Sequence, residues 1–419
     1  MPLITLKDPA AFEPNLGPGE GNPPPALSFS PDLREFRAPK NIAETIQMAR
    51  ELIQDNTFSA VRAWVSGGGH AVAFFPVYTP HELAASLGML PVTVRGGGEE
   101  LEITHADAAL GSFLCSISKS TLELAWTGRL DAFEGFVFPY ICDVSRNLEG
   151  IVSRRRPDAV THMLHLPQNF TSSASVTFLV AEYTRLLRKL EKISGSAYRP
   201  SALSESLAAY NERRAVLSEL VTLRQNEPWK LPTTELYLLE RMGDLVPPAL
   251  HVPLLRQALA EVRERSRPKR DAVRILLVGP FCEQPTPDLL ALVEEAGCYV
   301  VGDELNLLHH WTPEVRVDGD PLENLARAYI ESPMETAVRA TPMPKGESIV
   351  ARAERAGAQG VVFLTAKFCE PALEDVVLYR RGLDAKKIPY LHMEFEEKST
   401  SYEQSRLQIE TFVESVLFD

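Results

Sequence analysis

Blocks of apolar residues recur along the chain at two periods. From Asn41 onward, Ile42, Ile46, Ala49 and Ile53 fall at spacings of four, three and four, which predicts one face of an amphipathic helix. Ala71-Val72-Ala73-Phe74-Phe75 is an apolar run of strand length that stops at Pro76. Beyond it, Thr79 reads as an N-cap with Pro80 as the first helical residue. Leu90 to Val94 is a second short strand closed by Gly96-Gly97-Gly98, and Gly135-Phe136-Val137-Phe138 is a third. The stretch Thr161 to Leu166 follows, then a long helix from about Val180 to Ile193.

The pattern changes between about Ser201 and Arg265. Leu203, Leu207, Tyr210, Leu217 and Val221 keep helical spacing with no β-branched run, so a helical connector is expected. It ends in a basic stretch, Arg263 to Arg270, read as a solvated linker, with contact to a ligand phosphate or an acidic partner subunit as the alternative. A second α/β unit then begins, a loose echo of the first: a buried strand Arg274–Gly279, a helix Thr286–Ala296, a strand Cys298–Val301, a buried strand Gly360–Leu364, the stretch Ile388–Glu394, and a final helix from about Ser401 to Val416. Strands alternating with helices across short turns argue for parallel sheets wrapped by helices. The predicted architecture is α/β, with two Rossmann/flavodoxin-like parallel-sheet lobes (41–195 and 271–419), a helical connector (196–270) and an extended Pro-rich arm (1–40).

Composition narrows the class. The 419 residues carry 43 Lys and Arg against 56 Asp and Glu, a net charge of −13, which argues against nucleic acid as a partner. No run approaches the roughly 18 apolar residues of a membrane span. Met1 to Thr5 lacks the basic start of a secretory signal, so a cytoplasmic protein is expected. Five cysteines in such a chain read as reduced thiols, not a disulfide framework.

Their placement carries the chemistry. Cys142, Cys282 and Cys369 each follow a predicted strand and precede a helical stretch, and Cys115 precedes the helical stretch Ser118–Leu124. Ligands collect at the carboxyl ends of strands in open α/β sheets, and a helix N-terminus favours a thiolate or an anionic cluster. None of the spacings is C-x-x-C, which removes zinc ribbons, thioredoxin-like motifs and ferredoxin runs. Spacing alone favours buried structural thiols over ligands, and Cys298, opening an apolar strand, fits that description best.

Several segments together resemble the benzoyl-CoA reductase / 2-hydroxyacyl-CoA dehydratase family. They are Phe75-Pro76-Val77-Tyr78-Thr79-Pro80-His81-Glu82-Leu83 running to Val92, then Phe113-Leu114-Cys115-Ser116 with Lys119-Ser120. Phe138-Pro139-Tyr140-Ile141-Cys142-Asp143 and Lys367-Phe368-Cys369-Glu370-Pro371 follow, with Glu394 downstream. The stretches Arg146–Gly150 and Leu166–Phe170 look most like catalytic subunits of ATP-dependent benzoyl-CoA reductases. The resemblance implies that Cys115, Cys142 and Cys369 bind a [4Fe-4S]-type cluster with one iron left open. Cys282 is a candidate fourth thiolate, a bridge to a larger cluster, or a structural thiol. It also implies a related catalytic partner subunit, a separate ATP-hydrolysing iron–sulfur activator and a benzoyl-CoA-type substrate; this chain has no G-x-x-x-x-G-K-[ST] loop of its own. Under the same resemblance Glu82 is a candidate proton donor near the substrate, against a plain helix-dipole carboxylate. His162 and His165 are expected on opposite faces of one strand in structural roles. His309-His310-Trp311 reads as a surface loop, with an aryl-pocket lining as the alternative. A 2-hydroxyacyl-CoA dehydratase subunit and a non-catalytic electron-relay subunit stand beside the reductase as function readings.

Overall fold

The computed structural model describes residues 39–306, 314–332, 338–339, 343–398 and 401–418. Most of the arm and the His309-His310-Trp311 segment lie outside these residues. The first sheet contains β1 (Ala71–Phe74), β2 (Leu90–Thr93), β3 (Gly135–Pro139) and β4 (Val160–Leu164) in the order β2-β1-β3-β4. The second contains β5 (Val273–Val278), β6 (Cys298–Asp303), β7 (Gly360–Ala366) and β8 (Tyr390–Phe395) in the order β6-β5-β7-β8. Every pairing is parallel, with Phe74 opposite both Thr93 and Val137 and Val278 opposite Phe363. The central strands are buried along their length, which is why they read as apolar runs instead of alternating.

The two sheets therefore have one topology. In each, the chain reverses direction across the sheet between the two central strands, β1 and β3 or β5 and β7. These are the switch points at which open α/β sheets take their ligands. A continuous apolar core runs through both, from Val72, Phe74 and Phe136 to Ile275, Phe281, Val362 and Leu364.

The helices are α1 (Ile42–Gln54), α2 (Ser59–Ser66), α3 (His81–Ala85), α4 (Ser116–Trp126), α5 (Asp143–Arg155), α6 (Ala174–Ser194), α7 (Pro200–Asn226), α8 (Thr233–Met242), α9 (Pro248–Glu264), α10 (Pro287–Glu295), α11 (Pro321–Glu331), α12 (Lys345–Ala356), α13 (Glu370–Lys386) and α14 (Glu403–Phe418). At α1, Asn41 caps the first turn by accepting from Glu44 N at 3.0 Å. Its buried stripe is Ile42, Thr45, Met48 and Ala49, with Ile46 and Ile53 only half-buried. The stripe is rotated from the expected one because α1 packs on α8 and α9 of the connector. The connector helix α7 has 27 residues, about 40 Å of helix, and meets elements of both halves.

Two local expectations change. The helix after β1 begins at His81, with Pro80 in the N-cap position, and Thr79 supplies no cap. A proline that lacks an N–H is satisfied just outside the helix as well as at its first position. β4 ends at Leu164, so His162 is buried within the strand while His165 is exposed beyond it, its ring 5.5 Å from that of Tyr140. Burial holds His162 neutral, at a pKa of about 4.

Candidate functional site: a four-thiol cavity between the lobes

Three cysteines occupy one structural position. Cys115 is the N-cap of α4, Cys142 the N-cap of α5 and Cys369 the N-cap of α13. Cys142 and Cys369 are counterparts in the two topologies, each lying just after the third strand to appear in its sheet and before the next helix. Cys282 follows β5, the strand corresponding to β1, and its thiol donates to the carbonyl of Pro76, just after β1, at 3.5 Å. The switch points of the two sheets thus face one another.

All four thiols line one small cavity, about 30 Å³ and partly open to solvent, together with Phe75, Ile117, Phe281, Phe368 and Glu283. Cys282 and Cys369 are buried and Cys115 and Cys142 half-buried. Phe368, directly before Cys369, holds a left-handed φ of 63° and is 37 % exposed at the cavity. Such a backbone state in a bulky residue is costly and is found mostly where a site demands it.

A helix N-terminus should lower a thiol pKa, but here burial outweighs it. Burial pushes Cys115 up to about 12 despite the Ser118 hydroxyl 3.1 Å away, and raises Cys142 despite the hydrogen bond its sulfur accepts from Ser145 N at 3.4 Å. Cys282 and Cys369 are raised by burial too, and the thiolates would repel one another. Without a cation the site holds four neutral thiols. A bound soft metal centre would reverse that balance, because coordination displaces the proton.

Among the described residues no three His, Cys, Asp or Glu side chains converge as a site for a single metal ion. The thiols instead ring an apolar cavity, and a set of soft sulfur donors at its wall fits a polynuclear iron–sulfur group. Cys298 lies away from this cavity, buried at the start of β6.

Glu82 is elsewhere. Its carboxylate is buried and ion-paired with Arg214 of α7, its carbonyl accepts from Ser206 at 3.0 Å, and it does not line the thiol cavity. The basic stretch is held by its own surroundings. Arg265 and Arg267 share Glu235 at 2.5 and 2.7 Å, Arg263 pairs with Glu219, and Lys269 lies over Trp229.

A buried polar layer behind the thiols is invisible to the sequence patterns. Arg95, after β2, donates to Asp244 at 2.7 Å, to the Cys282 carbonyl at 3.2 Å and to Asn306 at 2.8 Å. Glu283 accepts from Ser116 and Ile117, and Glu397 is packed against it and Ser120. Burial raises both carboxyls above the usual carboxylate range. The position of Glu283 beside Cys282 is the one sequence signal available; Arg95 and Glu397 carry none.

No helix among the described residues is long and apolar enough to cross a membrane. The chain is 34% identical over 379 residues to a benzoyl-CoA reductase subunit of Thauera aromatica, covering 89% of this chain and 98% of that one. It is 28% identical over 357 residues to the (R)-phenyllactyl-CoA dehydratase beta subunit of Clostridium sporogenes, 83% and 92% of the two chains. With the beta subunit of (R)-2-hydroxyglutaryl-CoA dehydratase of Acidaminococcus fermentans it shares 23% over 360 residues, 83% and 93%. The family model for the 2-hydroxyglutaryl-CoA dehydratase D-component matches residues 76–416, a span holding all four cavity thiols, and the chain belongs to that family.

Proposed function

We propose that this chain is an iron–sulfur subunit of an ATP-dependent benzoyl-CoA reductase. The reaction would dearomatise benzoyl-CoA, or a substituted analogue, to a cyclohexadiene-carbonyl-CoA. The observation that carries the reading is the convergence of four thiols from both lobes on one apolar cavity. The 34% identity to the Thauera aromatica benzoyl-CoA reductase chain supports the choice of reaction.

Cys115, Cys142 and Cys369 would hold a [4Fe-4S] cluster, with Cys282 as a fourth thiol at the same wall. When bound, such a cluster supplies single electrons at a potential tuned by burial and by hydrogen bonds to its sulfurs. The chain's own part is to keep that wall dry and rigid. Phe75, Phe281 and Phe368 line the wall beside the thiols, and at the N-cap of α5 the Ser145 N–H donates to the Cys142 sulfur. Water exclusion matters because an aromatic thioester that has gained one electron is destroyed by premature protonation or electron loss. A related catalytic subunit would complete the acyl-CoA site, and an ATP-hydrolysing iron–sulfur activator would deliver the electrons. Glu82, the candidate proton donor, would act from its ion pair with Arg214, outside the thiol cavity.

A second reading, a 2-hydroxyacyl-CoA dehydratase subunit, is favoured by the relatives at 28% and 23% identity. Electron counting separates the two in the assembled complex. The reductase consumes two electrons per ring reduced; formation of an enoyl-CoA with no net consumption would overturn it.

A further inference from the structure

We propose that Glu283 is a positioning residue of the thiol cavity, a clamp from the second lobe that fixes Cys115 of the first lobe opposite Cys282 and Cys369. The inference rests on the reading that these thiols hold a cluster, and it adds the device that brings thiols from two lobes into register.

The first turn of any helix has N–H groups with no partner inside the helix, and Ser, Thr, Asp or Asn at the N-cap usually supplies one. In α4 the N-cap position is taken by Cys115, which makes no side-chain capping hydrogen bond. A ligand thiol and a capping carboxylate cannot share one position. The cap comes instead from far along the chain: Glu283 Oε2 accepts from Ile117 N at 3.0 Å, and Oε1 accepts from Ser116 Oγ at 2.6 Å.

Engaging both oxygens fixes the direction of the carboxylate as well as its distance. Glu283 is 1 % exposed, so the bonds are formed out of water, where each is stronger than at the surface. Its neighbour in the chain is Cys282, so one dipeptide carries a cavity thiol and the group that holds the Cys115 helix. Ser116 Oγ also accepts from Glu397 N at 3.3 Å, so two segments of the second lobe close on the same serine. Arg95 ties the lobes in the opposite sense, from the first lobe to the Cys282 carbonyl at 3.2 Å.

The test uses Glu283→Ala, Glu283→Gln and Ser116→Ala in the full chain. Amide hydrogen exchange in the metal-free protein reads the clamp; iron content and the electron paramagnetic resonance spectrum of the anaerobically loaded protein read its consequence. Glu283→Ala should speed exchange at the first turn of α4 about tenfold or more. It should also lower iron content or shift the spectrum. Glu283→Gln, which can still accept from Ile117 N and donate to Ser116 Oγ, should restore both. If Glu283→Ala does not fold, Ser116→Ala removes one contact and should give the same changes in smaller degree.

Unchanged exchange in α4 would overturn the clamp. Unchanged iron and spectrum with faster exchange would overturn its positioning role, and a glutamine variant as impaired as the alanine would overturn the hydrogen-bonded clamp. A wild-type chain that takes up no iron would sink the cluster reading itself, while exchange would still decide whether Glu283 holds α4.

Discussion

The protonation of the thiols gives a quantitative prediction for the metal-free protein. Burial moves Cys115 from an ordinary thiol value of 9.0 to about 12. Three units correspond to about 4 kcal/mol favouring the neutral thiol. At pH 8 the thiolate fraction then falls from about one in ten to about one in ten thousand, so alkylation should slow roughly a thousandfold. The assay is iodoacetamide labelling of the folded, metal-free chain between pH 7 and 10, with the Cys115 peptide followed by mass spectrometry. The rate should climb about tenfold per pH unit without a plateau. In urea the same peptide should titrate near the ordinary thiol value. A plateau between pH 8 and 9 in the folded chain would refute the reasoning, since it would mean that the helix N-terminus and not burial sets the thiol's charge. Stability follows with a definite sign. Above about pH 9 the unfolded chain loses thiol protons that the folded chain keeps. Metal-free stability therefore falls as pH rises, by about 1.4 kcal/mol per unit for each raised thiol.

Three further outcomes follow from the buried polar groups. Glu397→Gln should make the chain more stable at pH 8 and flatten its stability between pH 5 and 8, read from urea midpoints. The folded carboxyl keeps a proton that the unfolded one loses above its ordinary value of 4.5, so rising pH destabilises the wild type and not the amide. Gly96→Ala should destabilise by more than about 1 kcal/mol in thermal unfolding, because φ is +75° there and a Cβ would sit 2.1 Å from the Glu397 carboxylate and 2.3 Å from Ser120 Oγ. Glu82→Ala should cost about 3–5 kcal/mol in urea unfolding by stranding the Arg214 guanidinium, whereas a double replacement with Arg214→Met should recover much of that loss.

The fold is largely legible in the sequence because parallel strands buried on both faces leave continuous apolar runs. Ala71–Phe74, Gly360–Ala366 and the rest lie within a residue or two of where those runs place them. The thiol site is half legible. A cysteine directly after a strand and before a helix is a local pattern, and Cys142 and Cys369 keep it in three dimensions as counterparts in two equal topologies. What stays hidden depends on contacts between the lobes. Glu283 meets Ile117 across 166 positions and Arg95 meets the Cys282 carbonyl across 187, separations over which no periodicity speaks. The sign of the thiol shift is hidden for the same reason: a helix N-terminus is visible in the sequence, but the burial that outweighs it is created by the two sheets closing on one another. Glu82 illustrates the converse, a residue singled out for its local position whose partner on α7 only the fold reveals.

The central claim is that this chain holds an iron–sulfur cluster on thiols from both lobes. An iron and acid-labile sulfide count on anaerobically purified protein, with an electron paramagnetic resonance spectrum, tests it most directly for the wild type and for Cys115→Ser and Cys369→Ser. The expected result is iron and sulfide in the equal amounts of a [4Fe-4S] cluster in the wild type, lost when either thiol is replaced. An iron-free wild-type chain, or variants with undiminished iron and an unaltered spectrum, would contradict it.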